Sequence, residues 1–262
     1  MEIKTPKCKI CSSSLRKIFK TKVLNKYNVQ YYQCPNCSFI QTEKEYWLKE
    51  AYQSSMNISD TGVLKRNLLL SLKTSLIIQF LLNRKGQFID YAGGWGVFTR
   101  LMRDIGFDFY WFDLYTKNEL ARGFEADMNK KYEALTIFEG FEHFQNPHED
   151  LEKMFKLSDT LIFSTALVPI PTPKPQDWWY YGIEHGQHIA FYSKDSFKEI
   201  AKKYGYYYYT DGKYFHMLTK KNIPNLFFKF LTSILGFIFL PIVFLTNKSK
   251  TISDSRYLSN AK

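Results

Sequence analysis

Residues 87–100, QFIDYAGGWGVFTR, constrain this chain more than any other stretch. Phe88 and Ile89 end a short apolar run, and Asp90 stands at its carboxyl end. Ala92, Gly93, Gly94, Trp95 and Gly96 then make a tight turn, after which Val97, Phe98, Leu101 and Met102 recur at helical spacing. A buried strand, a glycine-rich turn and a helix, in that order, open a nucleotide-binding α/β unit. Glycine is needed where the backbone turns sharply and lies against a ligand, because a Cβ would stand in the way.

The acid discriminates between ligands. A dinucleotide site seats a pyrophosphate on the helix N-terminus, and a carboxylate at Asp90 would repel it. S-adenosylmethionine (SAM) carries an ammonium and a sulfonium and would be attracted instead. A second apolar run, YWFD, ends in Asp113, at the interval where an acid holds ribose hydroxyls. The pattern Asp90-x-x-Gly93-Gly94-x-Gly96, followed by Asp113, resembles the class I SAM-dependent methyltransferases. Their usual loop reads Asp-x-Gly-x-Gly-x-Gly, and Ala92 stands here for the first glycine. The resemblance implies that Asp90, Gly93, Gly94 and Gly96 hold the methionine part of SAM, that Asp113 holds the ribose, and that Glu139 lies under the adenine or the reacting centre. Two readings from other classes remain: a nicotinamide-dependent oxidoreductase on a similar fold, and a non-catalytic zinc-ribbon module that binds nucleic acid.

The elements around this loop alternate. Val63–Leu82 reads as a long lead helix, with Leu64, Leu68, Leu72, Leu76 and Phe80 repeating every fourth residue; Asn57–Gly62 is a polar turn before it, and Glu45–Tyr52 a shorter helix. Lys117–Phe124 reads as helix, Tyr132–Phe138 as strand, a helix starts at Pro147, and Thr160–Ser164 is a wholly apolar strand. Tyr206–Tyr209 and Phe215–Thr219 form a final antiparallel pair around Asp211-Gly212. The expected fold is α/β, a Rossmann-like methyltransferase sheet, mostly parallel with the last strand antiparallel. Such sheets bind ligands at the carboxyl ends of their strands, and Asp90, Asp113, Glu139 and Ser164 all fall there.

All four cysteines lie near the N-terminus, as Cys8-x-x-Cys11 and Cys34-x-x-Cys37. Two such turns can point four thiolates at one ion in a closed tetrahedral site, so residues 1–45 read as a zinc-ribbon-like domain with structural Zn2+ and no chemistry of its own. Val23–Tyr32 alternates and supplies a hairpin. The opening MEIKTPKCKI lacks the apolar core of a signal peptide, so a cytoplasmic protein is expected. The net charge of +11 comes from scattered lysines without an Arg-rich stripe, and no specific nucleic acid partner is expected from it.

The stretch 169–194 is the most unusual. A proline-rich loop, IPTPKPQ, leads into DWWYYGIEHGQHIAFYSKDSF, which is dense in Trp, Tyr and His. The aromatics read either as the lining of a substrate pocket or as a packed loop whose histidines satisfy buried polar groups. Ser193 reads as a helix N-cap. The segment Gln187-His188-Ile189-Ala190-Phe191-Tyr192-Ser193 is similar to the Glu-His-hydrophobic-x-Tyr-Phe-Ser segment of sugar C-methyltransferases, which also carry a four-cysteine zinc domain. Gln187 replaces the glutamate of that family, and Glu184 is a nearby substitute. The resemblance implies a sugar acceptor, nucleotide-linked or in a lipid-linked glycan, and a role in polysaccharide biosynthesis. It makes His188 the first candidate for a catalytic base, before His185, Glu184 and the Glu142-His143 pair. His216, within a strand, reads as structural.

The methyltransferase domain is expected over residues 46–222, and 223–262 form a hydrophobic helix with a polar tail. From Phe230 to Thr246 the chain carries no charge, Pro241 interrupts it, and lysines flank it. It reads as a membrane-surface helix or shallow hairpin giving peripheral contact through residues 226–245 at the inner face of the membrane. The tail LTNKSKTISDSRYL is expected to fray or dock loosely.

Overall fold

The computed structural model describes residues 6–53 and 60–260; the turn expected at Asn57–Gly62 lies partly outside them. The elements in order are β1 (Arg16–Val23), β2 (Tyr27–Gln33), β3 (Ile40–Thr42), α1 (Leu48–Ala51), α2 (Val63–Leu81), β4 (Gln87–Tyr91), α3 (Val97–Ile105), β5 (Asp108–Phe112), β6 (Ala134–Phe138), α4 (Pro147–Leu157), β7 (Thr160–Ser164), β8 (Ala190–Phe191), α5 (Lys194–Tyr204), β9 (Tyr207–Thr210), β10 (Phe215–Thr219), α6 (Asn225–Thr232), α7 (Leu240–Thr246) and α8 (Thr251–Asn260).

The larger sheet has the order β5-β4-β6-β7-β10-β9. β4 pairs parallel with β5 and β6, and β6 with β7, while β10 runs antiparallel to both neighbours. The single reversed strand is the last, as the sequence pattern predicts. Side chains alternate between two apolar layers because strand residues point to opposite faces in turn. Phe88, Ala134, Ile162 and Met217 pack with α2, α3 and α6. Ile89, Leu135, Leu161 and Leu218 pack with α4, α5 and the N-terminal unit. With both faces covered, β6 and β7 need continuous apolar runs, and all of Thr160–Ser164 is buried.

The N-terminal unit shares this second layer. β1, β2 and β3 form a meander, and β8 joins it as a fourth strand through Ile40–Phe191 and Gln41–Ala190 pairing. Tyr31, Phe39, Tyr180, Tyr181, Phe191 and Tyr192 are fully buried at the junction. The aromatics of the unusual loop are therefore mostly core, and only Trp179 is largely exposed, at 70%. The packed-loop reading holds for most of these rings, while Trp178 also lines a cavity with Val168, Pro169 and Tyr214. The six rings carry more apolar area than a small ribbon can bury alone.

Other expectations shift. Lys117–Phe124 is not helical: the Asn118 side chain accepts from Ala121 N–H and donates to Glu125, while Glu125 accepts from Gly123 N–H. Side chains that capture backbone donors compete with helix in this way. Only Leu48–Ala51 of Glu45–Tyr52 is helix. α2 forms where expected, but Leu64 and Leu68 are exposed while Leu70, Leu76, Ile77 and Ile78 are buried. A four-residue step overshoots a 3.6-residue turn by about 40°, so the row that starts on the exposed side at Leu64 turns into the core by Leu76. Among the described residues no single helix is long and apolar enough to cross a membrane; α6 and residues 234–246 meet at a 76° bend.

The tail does not fray. Asp254 of α8 is buried and takes two hydrogen bonds from the Arg103 guanidinium, both at 2.8 Å, and one from Arg100 at 2.9 Å. Arg103 also stacks on Phe124 at 3.7 Å. Removing one partner of a buried ion pair strands the other charge, at a cost of about 3–5 kcal/mol. Asp254→Ala should lower unfolding stability by roughly 3 kcal/mol, read from urea midpoints at constant m-value; an unchanged midpoint would show that α8 is not held this way.

Candidate active site

The glycine-rich turn is clamped from two sides. Gly93 N–H donates to Phe112 O at 3.0 Å and Gly94 N–H to the Asp113 carboxylate at 3.0 Å, while the Trp111 indole donates to Gly94 O at 2.8 Å. β5 thus dictates the shape of the loop after β4. Ala92 takes the left-handed conformation at φ 57°, the position where the usual motif has glycine; a side chain there costs about 1 kcal/mol. Gly93 is needed for space, because a Cβ would meet both Asp90 Oδ2 and Trp111 Cδ1 at 2.8 Å. At Gly94 a Cβ would meet nothing within 4 Å, and the residue faces a cavity lined by Asn67, Asp90, Ala92, Trp95, Thr116 and Phe138.

Asp90 is 2% exposed. Its two oxygens accept hydroxyl hydrogen bonds from Thr136 at 2.9 Å and Thr99 at 3.0 Å. Burial raises its pKa to about 7, against the two threonines, which lower it. Asp113 accepts three backbone N–H groups, from Gly94, Tyr115 and Thr116; its first structural task is to fold the loop after β5.

Beyond β6 lies a second polar group. Glu139 has φ 52°. It accepts a short 2.5 Å hydrogen bond from Ser164 at the end of β7, and burial with the nearby Glu142 raises its pKa to about 7. The short 3-10 turn Phe141–His143 follows. Glu142 is wholly buried and neither carboxylate oxygen has a hydrogen-bond partner; burial lifts it to about 7, eased slightly by the Tyr180 and Thr165 hydroxyls, which bond each other at 3.0 Å.

The loop before β8 brings His188 to this pair, its ring 5.1 Å from that of His143 and 4.7 Å from that of His185. Burial lowers all three imidazoles, His188 furthest, with His143 and His185 adding to its shift. They are neutral at physiological pH. The structure thus gathers His143, His185 and His188, places the exposed Glu184 outside the trio, and brings in Glu142, which the sequence ranks low. Buried Gln187 donates to Ala51 O, and His216 bonds Thr165 O and Thr210 within the sheet, a structural role. The four cysteine sulfurs lie within 4.8 Å of one another.

A family model described as a methyltransferase domain matches residues 66–210, more than half of the chain. The chain belongs to this methyltransferase family. It is a SAM-dependent methyltransferase, and the oxidoreductase and non-catalytic readings fall away. Among solved structures, the methyltransferase is similar to magnesium protoporphyrin IX methyltransferase from Synechocystis PCC 6803 with bound SAH, at 16% identity and TM-score 0.42 over 65% of this chain and 90% of that one. It is similar to an O-methyltransferase family protein from Burkholderia thailandensis at 16% identity and TM-score 0.44, over 66% of each chain. The plantazolicin methyltransferase BpumL in complex with SAH matches at 11% identity and TM-score 0.44, over 65% and 94%. No curated protein matches the chain.

Because the folded state favours protonated Asp90, ionising it costs stability as pH rises from about 4 toward 7. In the ligand-free methyltransferase, Asp90→Asn should therefore be more stable than the parent at pH 8, by up to about 4 kcal/mol. The gain should vanish near pH 4, where both side chains are neutral. Denaturation curves at the two pH values check this.

Proposed function

We propose that this methyltransferase transfers the methyl group of SAM to a hydroxyl of a small acceptor, a sugar that is nucleotide-linked or part of a lipid-linked glycan. The observation that carries the reading is the buried carboxylate of Asp90 beside a glycine-rich loop. An acid lifted to about 7 by burial is restored to its charged form by a cation, and a phosphate there would raise it further. The residues fit SAM: Asp90 would face its positive end, the backbone at Gly93, Gly94 and Gly96 would lie along the methionine part, and Asp113 retains acceptor capacity for the ribose. Glu139 stands at the neighbouring strand end and would lie under the adenine or the reacting centre. SAM supplies an activated methyl on a sulfonium, so the protein's work is to position the acceptor and take its proton.

His188 is the first candidate for that base. Its Nδ1 faces Tyr180 O at 2.7 Å, so Nδ1 carries the hydrogen and Nε2 keeps a lone pair. His143, His185 and Glu184 rank behind it. General-base removal typically costs 10²–10⁴-fold, so His188→Ala should lose at least about 100-fold in kcat while its Kd for SAM stays within about twofold. Methylated product among nucleotide sugars and lipid-linked glycans, read by mass spectrometry, gives the turnover; undiminished turnover would remove His188 from the chemistry.

Structural Zn2+ held by Cys8, Cys11, Cys34 and Cys37 completes the reading. The two turns are alike in support: Ile10 N–H points at the Cys8 sulfur at 3.4 Å and Cys37 N–H at the Cys34 sulfur at 3.5 Å. Leu226, Ile234, Leu235, Ile238 and Leu245 are each more than two-thirds exposed, which supports peripheral membrane contact through residues 226–245 and access to a lipid-linked acceptor. Anionic vesicles should pull down the full chain, and Ile234→Glu with Ile238→Glu should abolish the pull-down; co-sedimentation unaffected by the pair would exclude this face.

A further inference from the structure

Glu142, His143 and His188 have the makings of a ligand set. One carboxylate oxygen and one ring nitrogen from each histidine lie within 4.8 Å of one another. The histidines are oriented from behind. His143 Nδ1 lies 3.1 Å from Gln187 O and 2.9 Å from the Tyr52 hydroxyl, and His188 Nδ1 lies 2.7 Å from Tyr180 O. A carbonyl can only accept, so His188 Nδ1 carries the hydrogen and its Nε2 keeps the lone pair; in His143 a hydrogen on Nδ1, shared between the Gln187 carbonyl and the Tyr52 hydroxyl oxygen, likewise leaves Nε2 free to bind. Metal-binding histidines are held in this manner, one nitrogen on a backbone carbonyl and the other on the ion.

The second observation is independent of the cluster. Glu142 is 0% exposed and both its oxygens lack a hydrogen-bond partner. An unpaired buried carboxylate is expensive, and such a group calls for an explanation. Arg66 and the Tyr180 and Thr165 hydroxyls lie close enough to ease its burial, but the Arg66 guanidinium is hydrogen-bonded to Asp60 at 2.7 and 3.0 Å and neither Glu142 oxygen receives a hydrogen bond. Three protein ligands of mixed nitrogen and oxygen character, with coordination positions to spare, suit a divalent first-row transition ion in a reactive rather than a closed site.

We propose that Glu142, His143 and His188 bind a divalent transition-metal ion, separate from the ion of the four cysteines, whose open positions take the hydroxyl of the acceptor. The role of the ion rests on the methyl-transfer reading; the site itself rests only on the geometry. Bound to the ion, the acceptor hydroxyl loses its proton more readily. The proton passes to solvent, the oxygen forms a bond to the methyl carbon as the carbon–sulfur bond breaks, and S-adenosylhomocysteine leaves. The lone pair of His188 is then spent on the ion, which takes over the part given above to a lone imidazole.

The test is a Mn2+ titration of the full chain, with its four-cysteine site loaded with zinc, followed by electron paramagnetic resonance. One Mn2+ per chain is expected. Glu142→Gln and His143→Gln should each weaken it by more than about 100-fold, beyond the roughly 10–100-fold that the loss of an outer-sphere partner costs, and SAM affinity by calorimetry should show that both variants remain folded. In turnover assays a chelator that leaves the cysteine-bound zinc in place should stop the parent enzyme, and added Mn2+ should restore it. A parent chain that binds SAM but takes up no Mn2+, Co2+ or second Zn2+ would overturn the proposal while leaving methyl transfer intact. A chain that binds the ion and not SAM would keep the site and remove the function. Equal Mn2+ binding by the parent and both variants would place the ion elsewhere and also overturn it.

Discussion

The site depends on one buried carboxylate that, among the described residues, is held by two hydroxyls and by no cationic side chain. Asp90 sits at the end of a central strand, roofed by a loop whose second residue, Gly93, cannot carry a Cβ without striking it. Two threonine hydroxyls satisfy its oxygens but leave the burial penalty standing. That cost is tolerated because the rest of the sheet is dense and apolar on both faces. It makes a position that is neutral or ionised according to what lies next to it. A phosphate-binding version of the same strand, turn and helix would have no use for such an acid.

The loop above Asp90 is shaped by its neighbour strand. Trp111 and Asp113, both from the β5 region, hold Gly94 by its carbonyl and its N–H. Asp113 can therefore contribute to the site in two ways, by folding the turn and by offering its remaining acceptor capacity to a ligand. The Glu142 and histidine group is tied to the sheet by a different route, through the short turn after β6 and the loop that ends in β8. Because β8 is hydrogen-bonded to the cysteine-bearing meander, the N-terminal unit braces the loop that carries His188.

Much of this was legible in the sequence, for identifiable reasons. The strand, turn and helix around Asp90 are local, and their glycines and apolar spacing mark them. The same holds for the reversed last strand, flagged by Asp211-Gly212, and for Ser193, whose hydroxyl accepts from Ser196 N–H at the start of α5. What could not be read depends on contacts between distant segments. The aromatics of residues 178–192 looked like a pocket because composition cannot tell a ring facing a ligand from one facing Tyr31 or Phe141. Glu142 ranked low because an acid beside a histidine is common, and only the fold shows that it is wholly buried and unpaired. Asp254 lies 151 residues from Arg103, and nothing local announces that pairing.

The most direct measurement of the central claim is a calorimetric titration of the ligand-free full chain with SAM between pH 5.5 and 7. The cation selects ionised Asp90, so affinity should rise about tenfold over this range as the carboxylate deprotonates near 7, and Asp90→Asn should both weaken binding and flatten the profile. SAM binding that ignores pH and survives Asp90→Asn unchanged would contradict the account, as would a chain that binds a nicotinamide dinucleotide and leaves SAM in solution.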